Sequence, residues 1–336
     1  MNTAAAWPAL GPRTPGSAAG PGALERALDA AATPPQARRW IRRSLEGTHR
    51  SCWPGLAWRS SRLTGDGYPV ELSFAADDPA LRWTADVAGP EVDPAQRLPA
   101  AIEAITSWDP DTADLLETYA PALHAFQRAG QLRWGCWVGG RSLGEAARWK
   151  LYIEIPPQGL PRAGPACALL HAVDRPHDPT TSVRMIGWDP RADRQELYVR
   201  VAHLDTLRLS RLLDLAAARH RLGELLDVLQ AAYRRPVRPR LPGTDHGLTV
   251  SFDRATGTVA AVSVCAFAVA MFGPDAHTRA AVLALAADRG WRLGGYPAVS
   301  APLANTTIFP TAHQMVTITV TADGPIRFHI GLRPPP

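Results

Sequence analysis

The chain has 336 residues, 46% of them hydrophobic and 20% charged, with a formal net charge of +5. A chain this long buries a large core in one domain or two. With no run of about 18 apolar residues it has no membrane-spanning helix, and its basic residues form neither the stripe nor the aromatic motif of a nucleic-acid binder. The positive charge fits instead a basic interior that holds an anion.

Residues 1–22 are rich in Ala, Pro and Gly. They lack a basic start followed by an apolar run, so they read as a disordered tail rather than a secretory signal, with 23–333 as a single domain. A helix pair follows over 23–46, interrupted at Pro34-Pro35. The first hairpin pairs Tyr68–Phe74 with Leu81–Val87 across a turn at Ala75–Pro79. Helices are predicted near 95–107 and 111–129, then a second hairpin of Leu132–Val138 with Trp149–Ile155. A short helical stretch around 163–173 precedes the third hairpin, Val183–Trp188 with Glu196–Val201. Helices near 204–218 and 221–234 lead to the fourth, Gly247–Phe252 with Thr258–Val264. Residues 265–290 read as helical, and the fifth hairpin joins Met315–Thr321 to Ile326–Ile330. The four cysteines, Cys52, Cys136, Cys167 and Cys265, show no metal-ligand spacing and read as buried thiols, which favours a cytoplasmic location.

Each hairpin alternates. Trp149, Leu151, Ile153 and Ile155 share one face of their strand, and Lys150, Tyr152 and Glu154 share the other. Lys150 is the only lysine in the chain, which points to a place where a compact ammonium is wanted. Amphipathic helices must cover the apolar faces. The fold class is therefore α+β, with two candidate forms. The first is a ten-stranded antiparallel β-barrel, helices outside, with a polar lumen holding Glu71, Arg82, Asp86, Lys150, Glu154, Glu196 and His329. The second is an open sheet with helices on one face and water on the other. A ten-stranded barrel is wide enough to enclose a ligand, and buried charges are costly unless paired, so a lumen this charged favours a binding role.

Three stretches carry a family resemblance: Asp66-Gly67-Tyr68-Pro69-Val70-Glu71-Leu72-Ser73, Leu81-Arg82-Trp83, and Trp149-Lys150-Leu151-Tyr152. In this order and hairpin placement the chain resembles the ABBA-type aromatic prenyltransferases of the dimethylallyltryptophan synthase class, with their repeated αββα units around a PT barrel. The match covers about residues 20–333. It departs from the pattern in the third hairpin, where Arg194-Gln195-Glu196-Leu197-Tyr198 has Glu196 at the family's lysine. The fourth hairpin offers no lysine or tyrosine, and the fifth offers Arg327 and His329 as lumen cations by position alone.

The resemblance implies metal-independent prenyl transfer from an allylic diphosphate to an aromatic, indole-like small molecule or peptide, as in secondary metabolism. Glu71 is then the catalytic base. Arg82, Lys150, Arg194 and Arg327 bind diphosphate, Tyr152 and Tyr198 shield the cation, and Glu196 is a possible acid or base. No cofactor is implied, and a monomer or homodimer is expected, with no nucleic-acid or membrane partner. Plainer readings of the same residues remain open. Glu71 pairs with Arg82, the tyrosines are ordinary strand residues, Arg194 is a solvent-exposed turn residue, and Trp134, Trp137 and Trp188 pack the core rather than line an acceptor pocket. Two other functions fit the lumen: acid-initiated cyclisation of a prenylated compound, or ligand binding without catalysis. Asp109, Asp111 and Asp114 read as a helix start rather than a metal site.

Overall fold

The computed structural model describes residues 20–156, 181–307, 309 and 311–336. The expected tail up to residue 19, the helical stretch near 163–173 and Cys167 lie outside them.

Among the described residues ten strands form: β1 Val70–Ala75, β2 Asp78–Asp86, β3 Cys136–Leu143, β4 Ala146–Glu154, β5 Thr181–Asp189, β6 Arg194–Val201, β7 His246–Asp253, β8 Val259–Phe267, β9 His313–Val320 and β10 Arg327–Leu332. Each pairs antiparallel with its neighbours in the chain, and β1 pairs with β10, which closes the barrel. Closure settles the choice against the open sheet and leaves no strand edge unpaired.

The described helices of ten residues or more are α1 Pro21–Ala30, α2 Pro35–Ser44, α3 Pro94–Trp108, α4 Ala113–Gln127, α5 Thr206–Leu215, α6 Leu222–Tyr233 and α7 Asp275–Arg289. Their starts are written locally. Proline opens α1, α2 and α3, where its missing N–H costs nothing. Asp93 and Asp205 cap α3 and α5 by accepting the N–H groups of Ala95 and Arg208. Among the described residues no helix is long and apolar enough to cross a membrane.

The core lies between barrel and helices. Leu72, Trp83, Val138, Leu151, Trp188, Leu197, Val250, Val264, Ile318 and Ile330, one from each strand, are at most 2% exposed. They belong to one apolar cluster with helix residues such as Leu28, Ile41, Leu98, Leu212 and Leu229. Burying each such side chain stabilises the fold by about 1.5–3 kcal/mol. Trp149 is a hub, its ring 5.8 Å from Trp40 of α2, 5.8 Å from Trp83 and 4.6 Å from Trp108 of α3. The alternate residues on β1, β4 and β6 keep partial solvent access, as they must around a wet lumen.

Several sequence boundaries shift. The second hairpin starts later than expected, with β3 at Cys136–Leu143 instead of Leu132–Val138, because Gly139-Gly140 is strand and not turn. A Cβ on Gly140 would lie 2.1 Å from the Trp83 ring, and one on Gly139 would lie 2.7 Å from the Tyr152 ring. Side chains from the adjacent strands fill both positions. Residues 132–135 form a loop instead. The first turn shortens to Ala76-Asp77, since Ala75 pairs with Asp78. β8 runs on to Phe267, so 265–267 is strand, and Gly273, with φ 91°, separates the short helix Ala268–Phe272 from α7. Cys136 and Cys265 are buried, but Cys52 is exposed.

Candidate active site

All five hairpin turns lie at one end of the barrel, a consequence of its up-and-down order. The register sorts the lumen residues into rows. Glu71 lies opposite Thr84, Thr84 opposite Gly139, and Gly139 opposite Lys150. Glu71 and Lys150 thus share one row, roughly 14 Å apart along the curved sheet at three strand spacings, with only a threonine and a glycine between them. One step toward the hairpin mouth, Arg82 lies opposite Arg141 and Arg141 opposite Arg148.

Lys150 forms an ion pair with Glu196 and donates to the Tyr198 hydroxyl at 3.2 Å, while that hydroxyl donates to Glu196. Its ammonium lies 4.9 Å from the Tyr152 ring centroid and 5.6 Å from that of Tyr198. The two rings are 5.9 Å apart at 67°, two walls of a box around a cation. Burial disfavours the Lys150 ammonium, but the Glu196 carboxylate outweighs it and holds the amine above the ordinary lysine range. Burial likewise raises Glu196, and Lys150 more than reverses this. Burial, then the Glu196 charge, raises the Tyr198 phenol.

Gly139 and Gly187 seat these side chains. A Cβ on Gly187 would lie 2.7 Å from Lys150 Cε and 3.0 Å from Tyr198 Cε2. The Lys150 end is flexible enough to move aside, so Gly187→Ala is expected to lower the melting temperature only slightly, an overpacking cost of about 1 kcal/mol. Binding of an anionic ligand that needs Lys150 should fall several-fold. Thermal melting and calorimetry on the same preparation check both halves.

Glu71 is different. It does not pair with Arg82, and it has no hydrogen-bond or ion-pair partner among the described residues. Its carboxylate packs over Gly331, where a Cβ would lie 2.2 Å from Oε1. Burial without compensation pushes its carboxyl up to about 8.

The lumen cations are mostly paired. Arg82 and Arg141 share Asp78, at 2.6 Å and 2.9 Å, and Arg148 bonds Asp189 at 2.5 Å. Arg194 opens β6 beside Asp189 and Asp253 and is exposed, as is Arg327 at the start of β10. Neither has an ion-pair partner among the described residues. His329, expected as a cation, is not one: burial, then the charges of Arg82 and Arg327, push its pKa down to about 3.

Two expected lumen carboxylates serve the opposite end. Glu154 accepts the backbone N–H groups of Arg133, Trp134 and Gly135 at 2.7–3.0 Å and so ties down the loop before β3. Asp86 pairs with Arg97 of α3 at 2.7 Å. Trp137 faces the lumen opposite Tyr152 and stacks on Trp134 at 3.8 Å, whereas Trp188 is buried outside the barrel against Tyr119. Asp109 at the helix start binds Arg191 through both oxygens. The wall made by β7, β8 and β9 is small and hydroxylated, with Thr249, Ser251, Ala261, Ser263, Thr317 and Thr319. Among the described residues no group of three or more histidine, cysteine or carboxylate side chains is placed to hold a metal.

Arg141, Arg148, Asp78 and Asp189 were not picked out from the sequence. Their signal was present: Gly139-x-Arg141 and Arg148-x-Lys150 alternate on either side of Gly144, once β3 is carried through to that turn.

No family model matches the chain, and no curated protein sequence matches it. Solved structures do. A 5-dimethylallyl tryptophan synthase from Streptomyces coelicolor in complex with DMASPP and Trp matches with a TM-score of 0.74 and 16% identity, over 94% of this chain and 95% of its own. A 6-dimethylallyltryptophan synthase from Micromonospora olivasterospora in complex with DMASPP and Trp gives 0.71 and 17%, over 94% and 98%. Prenyltransferase PriB, in a ternary complex with L-tryptophan and dimethylallyl thiolodiphosphate, gives 0.69 and 17%, over 94% and 96%. At such identities the likeness establishes the fold: the chain has the αββα barrel of the ABBA prenyltransferases.

Proposed function

We propose that the protein transfers a prenyl group from an allylic diphosphate to an aromatic, indole-like acceptor within the lumen. The observation that carries this reading is the box of Tyr152 and Tyr198 around a positive charge, in a row that ends on the unpaired carboxyl of Glu71. The complexes of PriB and the two synthases with tryptophan and prenyl thiolodiphosphate analogues support it.

In the proposed reaction the allylic C–O bond breaks and its electron pair leaves on the diphosphate. Arg82 and Lys150 meet that charge, backed by Arg194 and Arg327; arginine supplies a fork of donors and lysine a point charge. Cations fixed where charge develops are a large catalytic term. The allyl cation takes the place beside Tyr152 and Tyr198, whose π-faces stabilise it without reacting. An arene carbon attacks it, and the arenium then loses its proton. Glu71 orients the acceptor and receives positive charge or the proton. Because the leaving group is met by guanidinium and ammonium groups, turnover is expected to persist in the presence of a chelator.

One observation favours a second reading. Glu71, with a pKa of about 8, is largely protonated at neutral pH and so has a proton to donate, whereas Lys150 holds the Glu196 carboxyl below the ordinary range. Acid-initiated cyclisation of a prenylated compound would therefore begin at Glu71. Incubation with dimethylallyl diphosphate and L-tryptophan or an indole-bearing peptide, followed by mass spectrometry, separates the two. Prenylated product is the expected result. Turnover only of a diphosphate-free prenylated compound supports cyclisation, and turnover of neither leaves a binding barrel.

A further inference from the structure

Each lysine or arginine that lines the inner rows on β2, β3 and β4 has a carboxylate partner, but two of the arginines share one. Arg82 and Arg141 both reach Asp78 Oδ2, at 2.6 Å and 2.9 Å. They face each other across adjacent strands, with Arg148 next in the same row. Like charges directly opposite one another destabilise a sheet, so three arginines in a row need anions. Asp78 and Asp189 supply two, which leaves the row one charge in excess. The Nε atoms of Arg82 and Arg141 are buried without a hydrogen-bond partner among the described residues, and such donors are costly to leave unmet.

We propose that Arg141 and Arg82 form the subsite for the terminal phosphate of the donor, with Asp78 holding the two guanidinium groups apart and aimed while the site is empty. This rests on the prenyl-transfer reading. The phosphate that carries the prenyl group must lie near the Lys150 ammonium, which Tyr152 and Tyr198 flank. The Arg82–Arg141 row is two residues nearer the mouth, roughly 7 Å along the strand, on the side where a terminal phosphate would project. Lys150 is neutralised by Glu196, whereas the outer row keeps one positive charge in excess to meet a diphosphate. Arg141 then compensates for the missing third-hairpin lysine from a different strand.

The test is calorimetric titration of inorganic pyrophosphate into the full-length protein. Arg141→Gln is expected to weaken binding about tenfold to a hundredfold, the loss of charge-assisted hydrogen bonds. Arg141→Lys should fall between, since it keeps the charge and loses the fork. Asp78→Asn is expected to tighten binding several-fold by freeing both guanidinium groups. A structural role alone would make either change destabilising and would not give opposite signs in affinity. Wild type that binds pyrophosphate with Arg141→Gln unchanged, or Asp78→Asn weaker, overturns the subsite and leaves the transfer reading intact. Wild type that binds none overturns both.

Discussion

Replacing Glu71 by glutamine is expected to lower kcat/KM for prenyl transfer roughly 10²- to 10⁴-fold, the usual range for a lost general base, while a thiolodiphosphate analogue still binds within a factor of about two. Glu71 lies at the far end of its row from Lys150, so in the proposed reaction it serves the acceptor and not the donor. Its carboxyl is raised to about 8 by burial alone, and the proposed base is its ionised form. The wild-type rate should therefore climb as pH rises toward about 8 and level off above it, and Glu71→Gln should lose that limb. Stability moves the other way. A carboxyl raised above its ordinary 4.5 contributes fully at pH below that value and loses its contribution as pH rises through about 8. Urea unfolding should find wild type and Glu71→Gln alike near pH 5. Near pH 9 the variant should be more stable, by on the order of 2 kcal/mol once lumen water is allowed for.

The second large effect concerns Lys150 and Glu196. Lys150→Ala leaves the Glu196 carboxylate in the lumen with Tyr198 as its hydrogen-bond donor. Both side chains of the pair are about one-fifth exposed (20% and 22%), so the cost should fall below that of a fully buried broken pair, at about 2 kcal/mol. The double variant Lys150→Ala with Glu196→Gln should recover most of that stability and none of the transfer, which should stay down roughly 10²- to 10³-fold. Glu196→Gln alone should behave in the opposite sense, binding a diphosphate analogue about tenfold more tightly because the ammonium loses its counterion. Denaturant unfolding and transfer rates on the four proteins separate holding the barrel together from binding the donor. If the double variant transfers as fast as wild type, Lys150 is structural.

The barrel was legible because its signal is repeated. Strict alternation in Glu71–Phe74, Trp149–Ile155 and Leu197–Val201 fixed which side chains share a face, and a closed sheet then sends every polar face inward. Glu71, Arg82, Lys150, Tyr152, Glu196, Tyr198 and Arg327 all lie on that face. What stayed hidden depends on pairing between strands. The strand Leu132–Val138 stopped short of Gly139 and Gly140 because a glycine filled from the next strand carries no local mark, and that boundary concealed Arg141. Asp86 and Glu154 alternate correctly, but their partners, Arg97 and the 133–135 backbone, come from outside the strand pattern. His329 has the position of a cation, but burial, reinforced by the charges of Arg82 and Arg327, keeps it neutral.

The most direct test of the lumen as a donor site is calorimetric titration of dimethylallyl thiolodiphosphate into the wild-type protein and the Lys150→Ala, Glu196→Gln double variant, whose charge balance at that pair is unchanged. Saturable one-site binding to wild type, at least tenfold weaker in the double variant, is the expected result. No binding to wild type at millimolar ligand, or equal binding to both proteins, would contradict it.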